Sequence, residues 1–231
     1  MPPTSPPSPA HPTQPPIVLA ITGASGAVYA MRLLEALLLL DRQVHLTISQ
    51  SGAAVIRQEL QVQLSPAGGN LWEALAATDR LLGVAVDAAW CAPRARQAAE
   101  AGGLTIHHYE DFFAPIASGS FLTAGMVICP CSGSTLSGIA HAASQNLIQR
   151  AAEVHLKEQR KLIIVPRETP VSALQLENML RLARANVVVL PAAPGWYHGA
   201  TCLCDLVDFV VARILDQLAI DNTAIARWGT G

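Results

Sequence analysis

Charge is what this 231-residue chain has least of: Asp, Glu, Lys and Arg make up 14% of it, against about 25% in an ordinary soluble domain. Apolar residues reach 51%. A surface so poor in charge implies that part of it is covered, hence an oligomer. No basic block occurs and the net charge is −2, which argues against a nucleic-acid binder held mainly through phosphates. Lysine is confined to Lys157 and Lys161, neither behind a glycine loop, so a Walker-type nucleotide triphosphatase is excluded. The G-x-S-x-G of a hydrolase elbow is also missing. The cysteine pairs Cys129/Cys131 and Cys202/Cys204 are more tightly spaced than zinc ligands usually are. The expectation is no metal, with reduced thiols in the cytoplasm.

Residues 112–149 contain no charged side chain, yet Pro115, Gly119, Gly125, Pro130 and many serines and threonines interrupt them. A membrane span is therefore rejected. The first sixteen residues, MPPTSPPSPAHPTQPP, hold eight of the sixteen prolines and no charge. They read as a disordered or polyproline-like tail, lacking the basic start and apolar core of a secretory signal. A single domain over 17–231 follows.

Strand-like and helix-like segments then alternate. IVLAI (Ile17 to Ile21) is a continuous apolar run, as expected of a strand buried on both faces of a parallel sheet. AVYAMRLLEALLLL is helical in composition, QVHLTIS (Gln43 to Ser49) alternates like a strand, and SGAAVIRQEL reads as a helix. Residues 61–110 give no clear pattern beyond an alanine-rich helical stretch between glycines and a short strand candidate, LTIHHY. AGMVIC (Ala124 to Cys129) is the next strand, followed by a helix through about Ala143, a second helix to Lys157, and the strand KLIIV. VSALQLENMLRLARA, NVVVL and DLVDFVVARILDQL complete the series as helix, strand and helix. Such alternation predicts an α/β fold: a Rossmann-like, doubly wound, mainly parallel sheet with helices on both faces.

Ligands of such sheets bind beyond the carboxyl ends of the strands. The loops predicted there are TGASGA, Ser49 to Ser51, PCSGST, PRETP and PAAPGWYH. Glycines in TGASGA allow backbone N–H groups to approach a phosphate, although the full G-x-G-x-x-G spacing is absent. The second strand ends in Ser49 rather than an acidic residue, which suits a mononucleotide phosphate or a flavin edge better than an adenosine ribose.

TGASGA, Leu46 to Ser49, MVICPCS (Met126 to Ser132), NLIQRAAEVHLKE (Asn146 to Glu158), VPRETP, LENMLRLA, LPAAPGWYH and DLVDFVVARILD occur in order. With these motifs the chain resembles the flavin prenyltransferases, the UbiX-like family, from about Ile17 to Trp228, with residues 61–110 and the tail outside the resemblance. The resemblance implies transfer of a dimethylallyl group from dimethylallyl monophosphate to N5 and then C6 of reduced FMN, giving prenylated FMN for a UbiD-type decarboxylase. It implies no metal and a homododecamer with sites between subunits.

Residue by residue, the resemblance puts Gly23, Ala24, Ser25, Ser49, Ser132, Gly133, Ser134, Thr135 and Arg167 on FMN, with Ser25 near the reacting ring. It puts Arg150, Lys157, Tyr197 and Arg213 on the dimethylallyl phosphate, Glu168 as the acid/base of the second bond-forming step, and Glu59 as a further acidic residue beside the site. Bland readings stand alongside: a solvated salt-bridge face for Arg150 and Lys157, an Asp216 partner for Arg213, core packing for Tyr197, and a structural ion pair for Glu168 with Arg167. The chain reads LKEQRKLII and YHGA where the family usually has LKERRPLV and YHRP, which bears on the choice of donor. Two alternatives remain: a flavin-dependent cysteine decarboxylase of the phosphopantothenoylcysteine type, and a non-catalytic FMN carrier.

Overall fold

The computed structural model describes residues 14–222. Its strands are β1 (Ile17–Ile21), β2 (Val44–Ile48), β3 (Leu104–His108), β4 (Gly125–Cys131), β5 (Leu162–Pro166) and β6 (Val188–Val189). Its α-helices are α1 (Ala27–Leu39), α2 (Gln50–Leu60), α3 (Leu71–Leu82), α4 (Ala92–Ala98), α5 (Gly133–Ala140), α6 (Leu147–Lys157), α7 (Ala173–Arg184) and α8 (Leu203–Gln217). The strands form one six-stranded sheet in the order β3-β2-β1-β4-β5-β6, parallel at every pairing. The chain winds outward from β1 to β3, returns to β4 beside β1, and winds outward again to β6. The switch point therefore lies between β1 and β4, and a crevice opens at their carboxyl ends.

Burial explains the strand sequences. Every residue of β1, β4 and β5 is buried, because helices cover both faces. Side chains alternate across β1: Ile17, Leu19 and Ile21 join the core under α1 and α8, whereas Val18 and Ala20 join the core under α5 and α6. In α8 the buried Val207, Val210, Val211, Ile214 and Leu215 recur at helical spacing and form the stripe that seats it.

Helix α1 is buried almost all round, its Arg32 and Glu35 included. Arg32 donates to both carboxylate oxygens of Asp208 on α8, at 2.7 and 3.0 Å, and to Glu35 at 2.9 Å. A buried guanidinium held by such a fork ties the two helices together, and removal of either partner would leave an uncompensated charge. Burial pushes the Glu35 carboxyl up to about 7 even beside Arg32.

The structure departs from the expected boundaries in several places. Helix α5 stops at Ala140 rather than running to about Ala143. Ala142 takes a left-handed φ of 52°, and the amides of Ala142 and Ala143 turn back to the carbonyls of Ile139 and Gly138. That is a Schellman stop built without glycine, which composition does not announce. Residues 61–110 hold α3, α4 and a π-type turn at Ala99–Gly103 before the LTIHH strand β3. Only two residues of NVVVL pair as β6, an edge strand hydrogen-bonded to β5 alone. Pro16, assigned to the tail, already joins the sheet margin, its carbonyl accepting from Ala124 N–H at 2.9 Å. The rest of the proposed tail through residue 13 lies outside the described residues. Among them, no helix is long and apolar enough to cross a membrane.

Candidate active site

Four of the expected loops meet around the β1–β4 crevice. The TGASGA turn leaves β1 with Thr22 buried at 1% exposure. The Thr22 hydroxyl donates to the Pro130 carbonyl at 2.7 Å and accepts from Ser132 N–H at 2.8 Å. One side chain thus staples the loop after β1 to the loop after β4. Gly23 is required by close packing, since a Cβ there would lie 2.6 Å from both Cβ and Oγ of Ser51. Gly26 adopts φ 115°, open to glycine at little cost.

Glu59, 33 residues downstream, reaches back from α2 to this turn. Its carboxylate accepts from Gly26 N–H at 3.0 Å and from Ala27 N–H at 2.8 Å. A fixed anion therefore already sits at the α1 N-terminus, where a helix end favours negative charge. Those two amides are committed, so an incoming phosphate must look to the Gly23–Ser25 stretch and to α5.

Ser49 and Ser132 play the same local role at their strand ends. Each caps a helix, Ser49 accepting from Gly52 N–H at 2.9 Å and Ser132 from Thr135 N–H at 3.4 Å. Hydroxyls cluster beside them: Ser49 and Ser51 at 3.1 Å, Ser132 and Ser134 at 3.2 Å, Ser132 and Thr135 at 3.1 Å. The amides of Gly133 and Ser134 open α5, where no intrahelical acceptor exists for them. Such a rim of hydroxyls and helix-end amides suits a phosphate or the polar edge of a flavin.

Arg167, at the end of β5, donates to the Ser25 carbonyl at 3.0 Å and so closes the crevice from the far side. Burial lifts the Tyr29 phenol above its ordinary range, with Arg167 pulling the other way. Glu168 is exposed beside it and accepts from Thr169 N–H at 3.2 Å. The cysteines of β4 are buried beneath the loop, where burial pushes the Cys131 thiol up to about 12 and the Cys129 thiol higher still. Neither is poised as a thiolate nucleophile.

Of the phosphate-binding candidates, Lys157 does not join this cluster within one protomer. Lys157 ends α6 five residues before β5 begins, at the amino edge of the sheet, and pairs with Glu158. It stands about one strand length, roughly 17 Å, from the crevice at the carboxyl edge. Arg150 lies on the same helix and contacts Glu153 at 3.7 Å and the Ala117 carbonyl at 3.3 Å. Tyr197 packs edge-on against Phe209 of α8, and Arg213, one turn further along α8, pairs with Asp216 at 2.7 Å. These two flank β6 at the sheet margin, where a cavity of about 230 Å³ is lined by Leu190, Phe209 and Arg213 among others. Both salt-bridge readings of the cations hold locally.

Thr22 and Tyr29 were not singled out from the sequence. Thr22 was legible as the first residue after an apolar strand, but nothing local announced its two partners across the crevice.

The flavoprotein family model matches residues 6–215. Flavin prenyltransferases UbiX of Pseudomonas aeruginosa and Halalkalibacterium halodurans are 46% and 44% identical over 213 and 211 residues, covering 92% and 91% of this chain and 93% and 92% of theirs. The chain belongs to the flavin prenyltransferases of the flavoprotein family. The aligned 211 residues run through the 61–110 region as well, so that region belongs to the family's length rather than standing outside it as the motifs alone implied. Its sequence is simply less distinctive than the loops.

Among solved structures, that of AnUbiX in complex with FMN and dimethylallyl pyrophosphate matches this flavin prenyltransferase with a TM-score of 0.75 and 34% identity, covering 94% of this chain and 99% of that one. A dodecameric FMN-dependent UbiX-like decarboxylase from Escherichia coli gives 0.71 and 34%, covering 93% and 99%. The six-stranded parallel sheet and its helices are thus those of the family.

Proposed function

We propose that this flavin prenyltransferase joins the dimethylallyl group of dimethylallyl monophosphate to N5 and C6 of reduced FMN, and that its product, prenylated FMN, serves a UbiD-type decarboxylase. The observation that carries the reading is the convergence of TGASGA, Ser49, the Ser132–Thr135 run and Arg167 on one crevice. Gly23, Ala24, Ser25, Ser49, Ser132, Gly133, Ser134, Thr135 and Arg167 fit FMN there as substrate. The amides of Gly133 and Ser134 at the start of α5, without intrahelical acceptors, suit an anionic ligand such as the FMN phosphate.

Two bonds must form. In the first, the allylic C–O bond breaks as N5 bonds to the terminal allylic carbon, phosphate leaves with the electron pair, and N5 gives up its proton, which the leaving phosphate or solvent takes. Developing positive charge on the allyl group and negative charge on the leaving phosphate call for fixed cations around the latter. Arg150, Lys157 and Arg213, with the Tyr197 hydroxyl, are the groups of this chain for that task. In the second, the alkene gains a proton as C6 bonds to its other carbon, and C6 then loses its own proton. Glu168, exposed at the crevice beside Arg167, is the group that gives and takes those protons. No oxidant is consumed and no metal is called for.

Because Lys157 ends α6 at the amino edge of the sheet, away from the crevice, we infer that each site is completed by neighbouring protomers of a homo-oligomer, a dodecamer by analogy with the E. coli relative. The exposed apolar side chains support that inference: Leu174, Leu176 and Leu180 along α7 and Phe113, which is 99% exposed. The five cysteines are free and fit a reducing compartment, which is the basis for placing the protein in the cytoplasm.

The test is anaerobic incubation with reduced FMN and dimethylallyl monophosphate, or the pyrophosphate for comparison, followed by mass spectrometry of the released flavin. One added five-carbon unit is the expected result. Tightly bound but unmodified FMN with either donor refutes prenyl transfer and turns attention to oxidation of a thiol substrate or to flavin carriage.

A further inference from the structure

Glu168 needs a fixed orientation if it is to pass protons at one carbon, yet it is exposed and its own loop secures only one oxygen. The structure supplies a second contact from α7. Ser172 and Gln175 form a capping box at that helix's start: the Ser172 hydroxyl accepts from Gln175 N–H at 3.2 Å, and the Gln175 side-chain Oε1 accepts from Ser172 N–H at 3.0 Å. A glutamine amide has one acceptor end and one donor end. With Oε1 committed to Ser172, the Nε2 end must face away from the cap. It does, and it lies 3.5 Å from Glu168 Oε2, while Thr169 N–H holds Oε1 of the same carboxylate at 3.2 Å.

The same Nε2 stands over the first residue of α5. A Cβ on Gly133 would come within 2.9 Å of it, so the glycine in PCSGST leaves space for the amide between the flavin-side loop and Glu168. Gln175 is half-buried there, with its rotamer held from both ends.

We propose that Gln175 is a positioning residue for this enzyme's second bond-forming step, in which its amide aims the Glu168 carboxylate at the reacting carbon. The inference rests on the acid/base role of Glu168 given under Proposed function. Gln175 touches neither flavin nor donor in this reading and acts only through Glu168. The capping box is what makes the device rigid, because an uncapped glutamine would rotate its amide freely.

The experiment compares full-length Gln175→Met, which keeps length and loses the donor, with Ser172→Ala, which removes the hydroxyl half of the cap but leaves the Ser172 N–H that holds Gln175 Oε1. Single-turnover formation of cyclised prenylated FMN is measured alongside FMN affinity and Tm. Gln175→Met should slow ring closure by about tenfold or more, the scale of a misplaced catalytic group, with FMN affinity within about twofold of wild type. Ser172→Ala should lower Tm while ring closure stays near the wild-type rate. On a Glu168→Gln background, Gln175→Met should cost nothing further, because the two act as one unit.

Ring closure at the wild-type rate in Gln175→Met overturns the proposal. So does equal slowing by Ser172→Ala, which would make the effect one of helix capping, or an undiminished effect on the Glu168→Gln background. Wild-type protein that returns only unmodified FMN overturns the prenyl-transfer reading itself and this inference with it.

Discussion

Removing one buried hydroxyl should loosen the active-site crevice. Thr22 bridges the loops that follow β1 and β4, donating to Pro130 O at 2.7 Å and accepting from Ser132 N at 2.8 Å. Thr22→Val keeps the shape and deletes the bridge. The Pro130 carbonyl retains the Thr22 amide at 3.3 Å, so its loss amounts to one hydrogen bond, about 1 kcal/mol. Ser132 N–H loses its acceptor at a site that is 1% exposed on the Thr22 side, a penalty of about 1–3 kcal/mol. The sum is about 2–4 kcal/mol, and no cavity cost is added because the two side chains are nearly equal in volume. For a domain of this size that corresponds to a fall in Tm of roughly 4–16 °C. Scanning calorimetry of wild type, Thr22→Val and Thr22→Ser checks it, with the serine variant retaining most of the stability because its hydroxyl can still bridge. FMN affinity should fall in the valine variant, since Ser132 and the Gly23 turn no longer share a tie. A Tm for Thr22→Val within about 2 °C of wild type would refute the staple.

His45 and His107 face each other across β2 and β3 at 2.8 Å, and burial with the neighbouring ring holds the His45 pKa down at about 4 from 6.5. Between those values the unfolded chain binds a proton that the folded one refuses, so stability from this group is present above pH 6.5 and is lost as pH falls toward 4. His45 is only half-buried, which reduces the effect to about 1–2 kcal/mol. Glu35 titrates in the opposite sense, so the measurement is the difference in Tm between His45→Gln and wild type, which should shift in the variant's favour from about pH 7.5 to about pH 5. If Lys157 serves a neighbour's crevice, Lys157→Ala and Glu168→Gln should each be strongly impaired alone yet recover activity when subunits are mixed and reassembled. A random equal mixture restores about one quarter of the sites, and no recovery would place both residues in one protomer's site. Glu59→Gln keeps an acceptor oxygen at the α1 N-terminus but loses the charge, and should cost about 1 kcal/mol of stability or less by thermal unfolding, whereas Glu59→Leu, which strands two amides, should cost several times more.

Much of the sheet was legible because strands buried on both faces leave continuous apolar runs. IVLAI and the core of KLIIV became β1 and β5 almost residue for residue. Misreadings fell where local propensity and tertiary context disagree. AHAA looks helical, but the left-handed Ala142 ends α5 early. NVVVL looks like a full strand, but an edge position pairs only Val188 and Val189. In the 61–110 region α3 does carry an apolar stripe, with Leu71, Ala74, Leu75 and Leu82 buried, but the short α4 that follows buries only the alanines Ala92 and Ala95 and gives no clear period.

The loops of the site were readable for a similar reason. Glycine, serine and threonine at strand ends are selected by backbone geometry and capping, which act over a few residues. TGASGA, Ser49 and PCSGST therefore stood out before any fold was known. Local pattern along the chain is enough for the alternation of elements, the carboxyl-edge loops and the family. Which side chains share a site follows from the folded chain. Glu59 bonds to a turn 33 residues away, Arg32 to a carboxylate 176 residues away, and Lys157 falls at the opposite sheet edge from the motifs it was grouped with. Those outcomes depend on strand order and on the direction each helix runs back across the sheet, and these arise from packing between distant segments rather than from local backbone preference.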